Sequence, residues 1–275
     1  MDSVTVHKSE VALHDQWAAE EDIEKIDIFR CMEGVNAVEN RYIMACIQKK
    51  LGGLAGLRIL DVGSGLGESS VYFAMKGAFV AAMDISPGMV DFCRRLGEVH
   101  GVADRIQPLL GEAESIELPE NYYDVVYAAN LIHHLTNVDA FLDVVRRCLK
   151  PGGLLCTWDP LRYNPIINVY RRIATAVRTP GEQPVGFSLL RQVKRYFPRV
   201  EHREFWFFSL YIFIKFYLID HLDPNTVRYW KHVHQYSTGV HGAIMRILHK
   251  IDRIPLSIPP LNRLAWSIAV VAQKI

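Results

Sequence analysis

Residues 57–84, LRILDVGSGLGESSVYFAMKGAFVAAMD, carry the strongest local pattern in the chain. An apolar run, Leu57–Val62, leads into a turn with three glycines, and a second apolar run, Phe79–Asp84, follows a segment with helical spacing. Short apolar runs bounded by turns are typical of buried strands. Two such strands separated by a helix predict a βαβ unit with parallel strands.

The same alternation continues to residue 159. The pattern predicts further strands at Ile106–Leu110, Tyr123–Ala129 and Leu154–Asp159 and helices at Glu68–Lys76, Pro87–His100 and Val138–Leu149. Alternating strands and helices predict an α/β domain built on a mostly parallel sheet.

The flanking segments are mostly helical in pattern. Residues 1–50 predict a helical N-terminal cap, while residues 51–207 with 263–275 predict the core. Within the core, helices are expected over Tyr163–Val177 and Ser188–Phe197, and strands near Val200–Phe207 and over Arg263–Lys274. Residues 208–262 are too many for an ordinary loop, so we expect an insertion between the last two strands with structure of its own.

That insertion is aromatic and basic. Across residues 207–263 there are seven Lys or Arg and three acids, a local balance of +4. Its first part belongs to an apolar run, Phe205–Ile219, that is shorter than the roughly 20 residues of a membrane span. The run predicts a buried strand leading into a buried helix, with contact at a membrane surface as the alternative.

Overall composition narrows the class of protein. The 275 residues carry a net charge of +1, which argues against a nucleic-acid binder. The five cysteines include no C-x-x-C pair, so neither a disulfide framework nor a zinc site is expected. The N-terminal sequence has no apolar run behind a basic start, so we expect a cytoplasmic protein. The oligomeric state is not predicted.

The glycine-rich turn, Asp61–Gly67 (DVGSGLG), is the clearest functional motif. Glycines let a backbone approach a ligand closely, and the following helix N-terminus offers free N–H groups. The third glycine of a dinucleotide fingerprint would fall at Glu68, which disfavours a pyrophosphate. The carboxylate of Asp61 suits a cationic group, such as the ammonium of an amino-acid moiety.

Polar residues also follow the next strands. Asp84 ends the second strand 17 residues past Gly67, where a carboxylate can accept the hydroxyls of a ribose. Glu112 and Ala113 follow the third strand, next to where an adenine would lie, and residues 130–134 (NLIHH) follow the fourth. Strand ends at this edge are where open α/β sheets bind ligands.

Together these motifs resemble the class I S-adenosylmethionine-dependent methyltransferases, in particular the small-molecule group typified by enzymes of ubiquinone and menaquinone biosynthesis. The resemblance covers about residues 55–160 and rests on DVGSGLG, Asp84, GEAESIELP and YDVVYAANLIHHL. It implies a Rossmann-like, seven-stranded sheet with an antiparallel last strand. It also implies S-adenosylmethionine as cofactor, held by Asp61, Gly63, Ser64, Gly65, Gly67, Asp84, Ile85, Glu112, Ala113 and Asn130. Glu112 stands where the family more often has Asp.

Methyl transfer from a sulfonium needs alignment above all, and a general base is optional. Candidates near the strand ends are His133, His134 and Asp159, each with a structural alternative: loop-fixing for the histidines and a turn role before Pro160 for Asp159. Expected substrate contacts are Trp17, Tyr163, Tyr170, Arg171 and Tyr211. Residues 14–17 are expected to precede a helix of the cap, with Trp17 alternatively a core anchor. No set of acidic metal ligands is evident.

The sequence thus predicts an enzyme that methylates a lipophilic small molecule, such as a quinone-like or secondary-metabolite acceptor, by in-line displacement. Alternatives are a lipid or membrane-associated methyltransferase and a non-catalytic subunit that binds the cofactor. No nucleic-acid partner is expected, and peripheral membrane contact stays an alternative. The acceptor atom, O, N or C, is left open.

Overall fold

A computed structural model describes residues 3–179 and 181–275, with side chains from residue 7 onward, so the first two residues of the predicted cap and Pro180 lie outside it. Seven strands form one sheet: β1 (Arg58–Val62), β2 (Phe79–Asp84), β3 (Ile106–Leu110), β4 (Tyr123–Ala129), β5 (Leu149–Pro160), β6 (Arg199–Phe205) and β7 (Ser267–Gln273). Twelve α-helices are described: α1 (Ser3–Glu20), α2 (Ile28–Met32), α3 (Val38–Leu51), α4 (Glu68–Met75), α5 (Pro87–Val99), α6 (Val138–Cys148), α7 (Pro165–Ile173), α8 (Ser188–Tyr196), α9 (Tyr211–Leu218), α10 (Tyr229–His232), α11 (Gly239–Ile251) and α12 (Arg253–Leu256).

The sheet has the strand order β3-β2-β1-β4-β5-β7-β6. β7 pairs antiparallel with both β5 and β6, whereas the other pairs are parallel. This confirms the predicted seven-stranded, mostly parallel sheet with an antiparallel last strand. The order reverses between β1 and β4, and a ligand crevice forms at such a switch point.

The central strands are buried on both faces, which explains their continuous apolar runs. Two apolar clusters fill the two sides of the sheet, and Tyr127 and Leu155 are among the fully buried side chains in them. Side-chain caps set where the helices begin. Ser86 accepts from the N–H of Met89 at the start of α5, and Asn164 accepts from the N–H of Ile166 at the start of α7.

Some element boundaries differ from the sequence prediction. α7 is shorter than Tyr163–Val177, because Asn164 and Pro165 start the helix and the chain leaves it after Ile173. β5 begins at Leu149 rather than at Leu154, and Gly152 takes a left-handed φ of 82° inside it. Residues 14–17 lie inside α1 instead of preceding a helix.

The apolar run Phe205–Ile219 spans the end of β6, a short 3-10 turn and α9. Leu210, Ile212, Phe213 and Phe216 are buried, whereas residues 217–219 are exposed. No helix in the described ranges combines the length and the apolar character needed to cross a bilayer.

Candidate functional site

A cavity of about 680 Å³ opens at the carboxyl ends of the central strands. Its size lies in the range of small-molecule sites. One part is bounded by the glycine-rich turn and by the residues that end β1 and β2. The other part is bounded by aromatic side chains of α7, of the insertion and of the segment just before β7: Tyr170, Phe213, Trp230 and Trp266.

The glycine-rich turn is shaped by left-handed backbone at its three glycines, of which Gly63 and Gly65 line the cavity. Gly63 has φ 68°, and an added Cβ would lie 2.8 Å from Leu131 Cδ1. Gly65 has φ 54°, and a Cβ there would meet no atom within 4 Å, so the turn leaves open space on its cavity side. The buried hydroxyl of Ser64 lacks a hydrogen-bond partner within the described chain.

Asp84 is positioned by backbone donors. Its Oδ2 accepts from the N–H of Gly65 over 2.9 Å, and its Oδ1 accepts from the N–H of Ser86 over 3.0 Å. Burial raises the pKa of this carboxyl. Each oxygen keeps a lone pair beyond these bonds, so the carboxylate can accept two further donors from a ligand.

Asp61 is also fully buried, and burial raises its pKa to about 6 despite two serine donors. The hydroxyls of Ser69 and Ser70 each donate to Oδ2 over 2.6 Å. Among the described residues, both of these hydrogen bonds end on Oδ2, so Oδ1 is available to a ligand. A cationic ligand group would offset the energetic cost of burying the negative charge of Asp61.

The donor set fits S-adenosylmethionine. Asp61 can take the ammonium, Asp84 the ribose hydroxyls, and the open face of Gly65 the methionine portion. Ile85, Glu112, Ala113 and Asn130 line the same end of the cavity. Glu112 also lies 3.3 Å from His7 of α1, from Oε1 to Nδ1.

Helix α1 covers this cavity. Its lining side chains recur at helical spacing on one face: His7, Glu10, His14 and Trp17. Asp15 fastens the helix to the core, accepting from the Ser86 hydroxyl over 2.5 Å and from the Gly88 N–H over 2.8 Å. A carboxylate at the start of α5 is favourably placed against the helix dipole.

His134 is joined to this covering helix. Its Nδ1 lies 2.8 Å from Glu10 Oε1, and Thr179 also donates to that oxygen over 3.0 Å. Burial alone would lower the pKa of His134, but the hydrogen bond and the negative charge of Glu10 raise it overall. The same contacts outweigh burial at Glu10 and lower its pKa. Glu10 and His134 therefore favour the charged pair.

His133 and Asp159 form a second, buried pair. Asp159 Oδ1 accepts from the backbone N–H of His133 over 3.1 Å and lies 2.9 Å from its Nδ1. Burial raises the pKa of Asp159 to about 7 and lowers that of His133 well below its usual range. The Thr157 hydroxyl donates toward the carbonyl of Ala128 over 2.5 Å and toward Asp159 Oδ2 over 2.9 Å. Burial thus favours the neutral form of both His133 and Asp159.

Arg171 is the cation of the aromatic end. Its guanidinium donates to the carbonyl of Leu161 and to Asn168 Oδ1. Burial and the neighbouring Arg178 lower the pKa of Arg171 to about 10, although Glu182 opposes this shift. Glu182 itself pairs with Arg178 at 2.5 Å. A half-buried guanidinium held mainly by neutral acceptors favours an anionic ligand group.

Four predicted residues do not line the cavity. Gly67 caps α4 with φ 91° and packs on α5, where an added Cβ would lie 2.5 Å from Cys93 Sγ. Asp159 is fully buried and hydrogen-bonded to His133, which lines the cavity in its place. Tyr163 turns outward, stacks on Phe187 and accepts a hydrogen bond from its N–H. Tyr211 starts α9 and packs on the apolar core. The predicted Trp17, Tyr170 and Arg171 do line it.

The sequence analysis missed several cavity residues. Glu10 and His14 lie four residues apart on α1, and their spacing with His7 and Trp17 is the signal that one helix face carries them. Trp230 and Glu182 come from segments whose position only the tertiary structure gives.

One group of side chains could in principle hold a metal ion. His133, His134 and Glu182 each place a potential ligand atom within 4.8 Å of the others. Each imidazole is already oriented by a carboxylate, and Arg178 neutralises Glu182. The expectation of no metal at this site stays a prediction.

Comparison with known proteins assigns one part of the chain. Residues 60–157 match the family described as "Methyltransferase domain". The "putative sarcosine dimethylglycine methyltransferase" of Galdieria sulphuraria has a similar fold, with a TM-score of 0.56 and 16% identity over 85% of this chain and 84% of that one. Residues 60–157 are therefore a methyltransferase domain, and the sheet around them has the fold of that solved structure.

Individual relatives are similar over part of their length. The "Ubiquinone/menaquinone biosynthesis C-methyltransferase UbiE" of Paraburkholderia phymatum is 37% identical over 164 residues, which are 50% of this chain and 66% of that protein. The "Fatty-acid O-methyltransferase" of Mycolicibacterium smegmatis is 26% identical over 178 residues, 64% of this chain and 58% of that protein. The chain thus spans just under two thirds, or less, of these two curated relatives.

Proposed function

We propose that the protein methylates a lipophilic small molecule that carries a polar, ionisable group. One observation carries this proposal: a single cavity joins a cofactor-type end, with Asp61, Gly65 and Asp84, to an aromatic end that contains Arg171. His134 and Arg171 both line this cavity, and the ring of His134 lies 6.2 Å from that of His14 on the covering helix.

When bound, S-adenosylmethionine supplies an electrophilic methyl group together with its own leaving group. Asp84 would hold the ribose hydroxyls and Asp61 the ammonium, so the two carboxylates would fix both ends of the cofactor. The aromatic side chains Tyr170 and Trp230 hold the acceptor and exclude water. Alignment of this kind accounts for much of the rate in such displacements.

His134 would accept the proton that the acceptor loses. Above the raised pKa of His134 its imidazole is neutral, and there Glu10 accepts from the Nδ1–H and leaves Nε2 as the basic nitrogen. The bound cofactor would supply the methyl group, and the proton that the acceptor loses would pass to Nε2 of His134. His133 and Asp159 act as positioning residues that hold the loop.

The nature of the acceptor leads to two candidates within this proposal. A phenol or quinol carbon, suggested by the similarity to the ubiquinone/menaquinone enzyme, needs a base. A carboxylic acid, suggested by the similarity to the fatty-acid enzyme and by Arg171, is already ionised at neutral pH and needs none. A hydrophobic acid could pair directly with Arg171.

A methyl-transfer screen with labelled S-adenosylmethionine tests the proposal. We expect labelled product with members of a panel of quinols, phenols and long-chain acids, and none with hydrophilic amines. Replacement of His134 by Gln separates the candidates, because it would abolish turnover of a phenol or quinol but spare that of an acid. Failure to label any panel member while the cofactor binds would favour the non-catalytic alternative.

A further inference from the structure

Helix α11, within the insertion, exposes a stripe of aliphatic side chains. Val240, Ile244, Ile247 and Ile251 recur at intervals of four, three and four residues, which places them on one side of the helix. Val240 is 76% exposed and Ile247 is 58% exposed. The side chain of Ile254, just beyond the helix end, continues the stripe at 67% exposure.

The opposite side of α11 already faces the protein. Gly242, Met245 and Asp252 are buried, and an added Cβ on Gly242 would clash with the backbone of Ser237 at 2.4 Å. The helix is therefore seated on its inner side. The outward stripe is not needed for that packing, although exposed contiguous apolar surface is uncommon on soluble monomers.

A further exposed ring lies near the end of α11. Asp252 accepts hydrogen bonds from the backbone N–H groups of Phe207 and Phe208, which holds Phe208 at the end of α11. The Phe208 side chain is 50% exposed. We call the exposed surface of Phe208, Val240, Ile244, Ile247, Ile251 and Ile254 the lid patch.

Cations border the lid patch. Arg246, Lys250 and Arg253 are exposed and lie along one flank of the aliphatic stripe. The one carboxylate among residues 239–264 is Asp252, which is 3% exposed and occupied by backbone donors. The border therefore presents positive charge without a nearby exposed acid from the same segment.

From this arrangement we infer that the lid patch docks on an anionic lipid bilayer, with α11 lying in the plane of the interface. Aliphatic side chains on one face with Lys or Arg beside them are the features of interfacial helices. Negative headgroups attract such cations, and the apolar stripe enters the boundary of the acyl chains. Only Phe208 of the lid patch belongs to the run Phe205–Ile219, for which the sequence raised membrane contact, and much of that run is buried.

The inference goes beyond the proposed function and does not depend on it. It also bears on access to the cavity, because the same insertion contributes Phe213 and Trp230 to the cavity wall. Docking through α11 would bring that wall close to the bilayer, where lipophilic molecules concentrate.

Co-sedimentation with lipid vesicles tests the inference on the full chain. We expect binding to vesicles of phosphatidylcholine with phosphatidylglycerol and much weaker binding to phosphatidylcholine alone. Ile247→Glu should weaken binding at least about tenfold, because an isoleucine no longer leaves water. Lys250→Gln should weaken it about fivefold, the effect of one surface cation. Val99→Glu is the matched control, since Val99 is 60% exposed on α5 of the core, and its binding should equal that of the wild type.

Equal binding by Ile247→Glu and the wild type, or no binding of the wild type to anionic vesicles, would overturn the inference. So would a wild-type dimer that Ile247→Glu converts to a monomer while vesicle binding is absent, because a second copy would then cover the patch.

Titration of each variant with S-adenosylmethionine is the control for folding. Unchanged cofactor binding shows that a variant is folded, and Val240→Glu replaces Ile247→Glu if the latter is not. A wild type that binds vesicles but not the cofactor would contradict the proposed function alone.

Discussion

Glu10 of α1 and His134 after β4 lie 2.8 Å apart, from carboxylate Oε1 to imidazole Nδ1. The two residues are 124 positions apart in the chain, and their bond connects the covering helix to the strand end that carries the candidate base. His134 therefore has its orienting carboxylate only when α1 is packed over the cavity.

Replacing Glu10 by Gln should shift the pH dependence of turnover. The carboxylate raises the pKa of His134, and a base works only in its unprotonated form, so activity should rise with pH through that pKa. Removing the negative charge lowers the pKa, and the acidic limb of the kcat/KM profile should move to lower pH. The profile is measured with an acceptor found in the screen. An unshifted acidic limb would contradict the role of His134 as base.

Replacing Asp84 by Asn should weaken cofactor binding. A charged hydrogen-bond acceptor is lost, at a cost of about 1.5–3 kcal/mol, or on the order of tenfold to a hundredfold in Kd. Calorimetric titration with S-adenosylhomocysteine measures the change. Asp104→Asn removes an exposed carboxylate elsewhere and should leave the Kd unaltered. Equal affinities of the wild type, Asp84→Asn and Asp104→Asn would contradict the assignment of Asp84 to the ribose.

Substitution of Gly67 should mainly reduce stability, whereas substitution of Gly65 should mainly reduce cofactor affinity. Gly67→Ala drives a Cβ into Cys93 and should lower the free energy of unfolding by about 1–3 kcal/mol, the usual range for overpacking. Gly65→Ala meets no protein atom, so it should mainly reduce cofactor affinity, with a smaller loss of stability from its left-handed φ. Thermal melts and calorimetry of both variants measure the split, and the reverse pattern would refute it.

Cofactor affinity should depend on pH through Asp61. Its pKa is about 6 in the free protein, so the carboxyl becomes protonated as pH falls through that value and can no longer pair with an ammonium. Affinity for S-adenosylmethionine should be steady above pH 6 and fall below it. In Asp61→Asn, binding should be weaker above pH 6 and lose much of this dependence. A wild-type affinity that stays constant down to about pH 5 would contradict the ammonium assignment.

The sheet was predictable because its central strands are buried on both faces and therefore form unbroken apolar runs. β1, β2 and β4 begin or end within a residue of the predicted positions. The antiparallel β7 followed from the family resemblance. The turn after β1 was predictable because its shape depends on nearby residues: Gly63 and Gly65 take left-handed backbone angles, and Asp61 bonds to serines eight and nine residues later.

The acceptor end of the cavity was less predictable, because its residues come from distant segments. Tyr163 and Tyr211 have suitable chemistry, but their elements turn them away from the cavity. The spacing of Glu10 with His7 and Trp17 indicates a shared helix face, but its partner His134 lies on another element. The lid patch was also not predictable from the sequence. Isoleucines spaced by three or four residues indicate one face of a helix, but they do not indicate whether that face is packed against the protein or exposed.

The most direct test is calorimetric titration of the purified protein with S-adenosylmethionine and S-adenosylhomocysteine, with NAD as the control. We expect micromolar binding of the first two ligands and none of NAD, because Asp61 and Glu68 at the turn disfavour a pyrophosphate. Tight binding of NAD, with no binding of either sulfur ligand, would contradict the account.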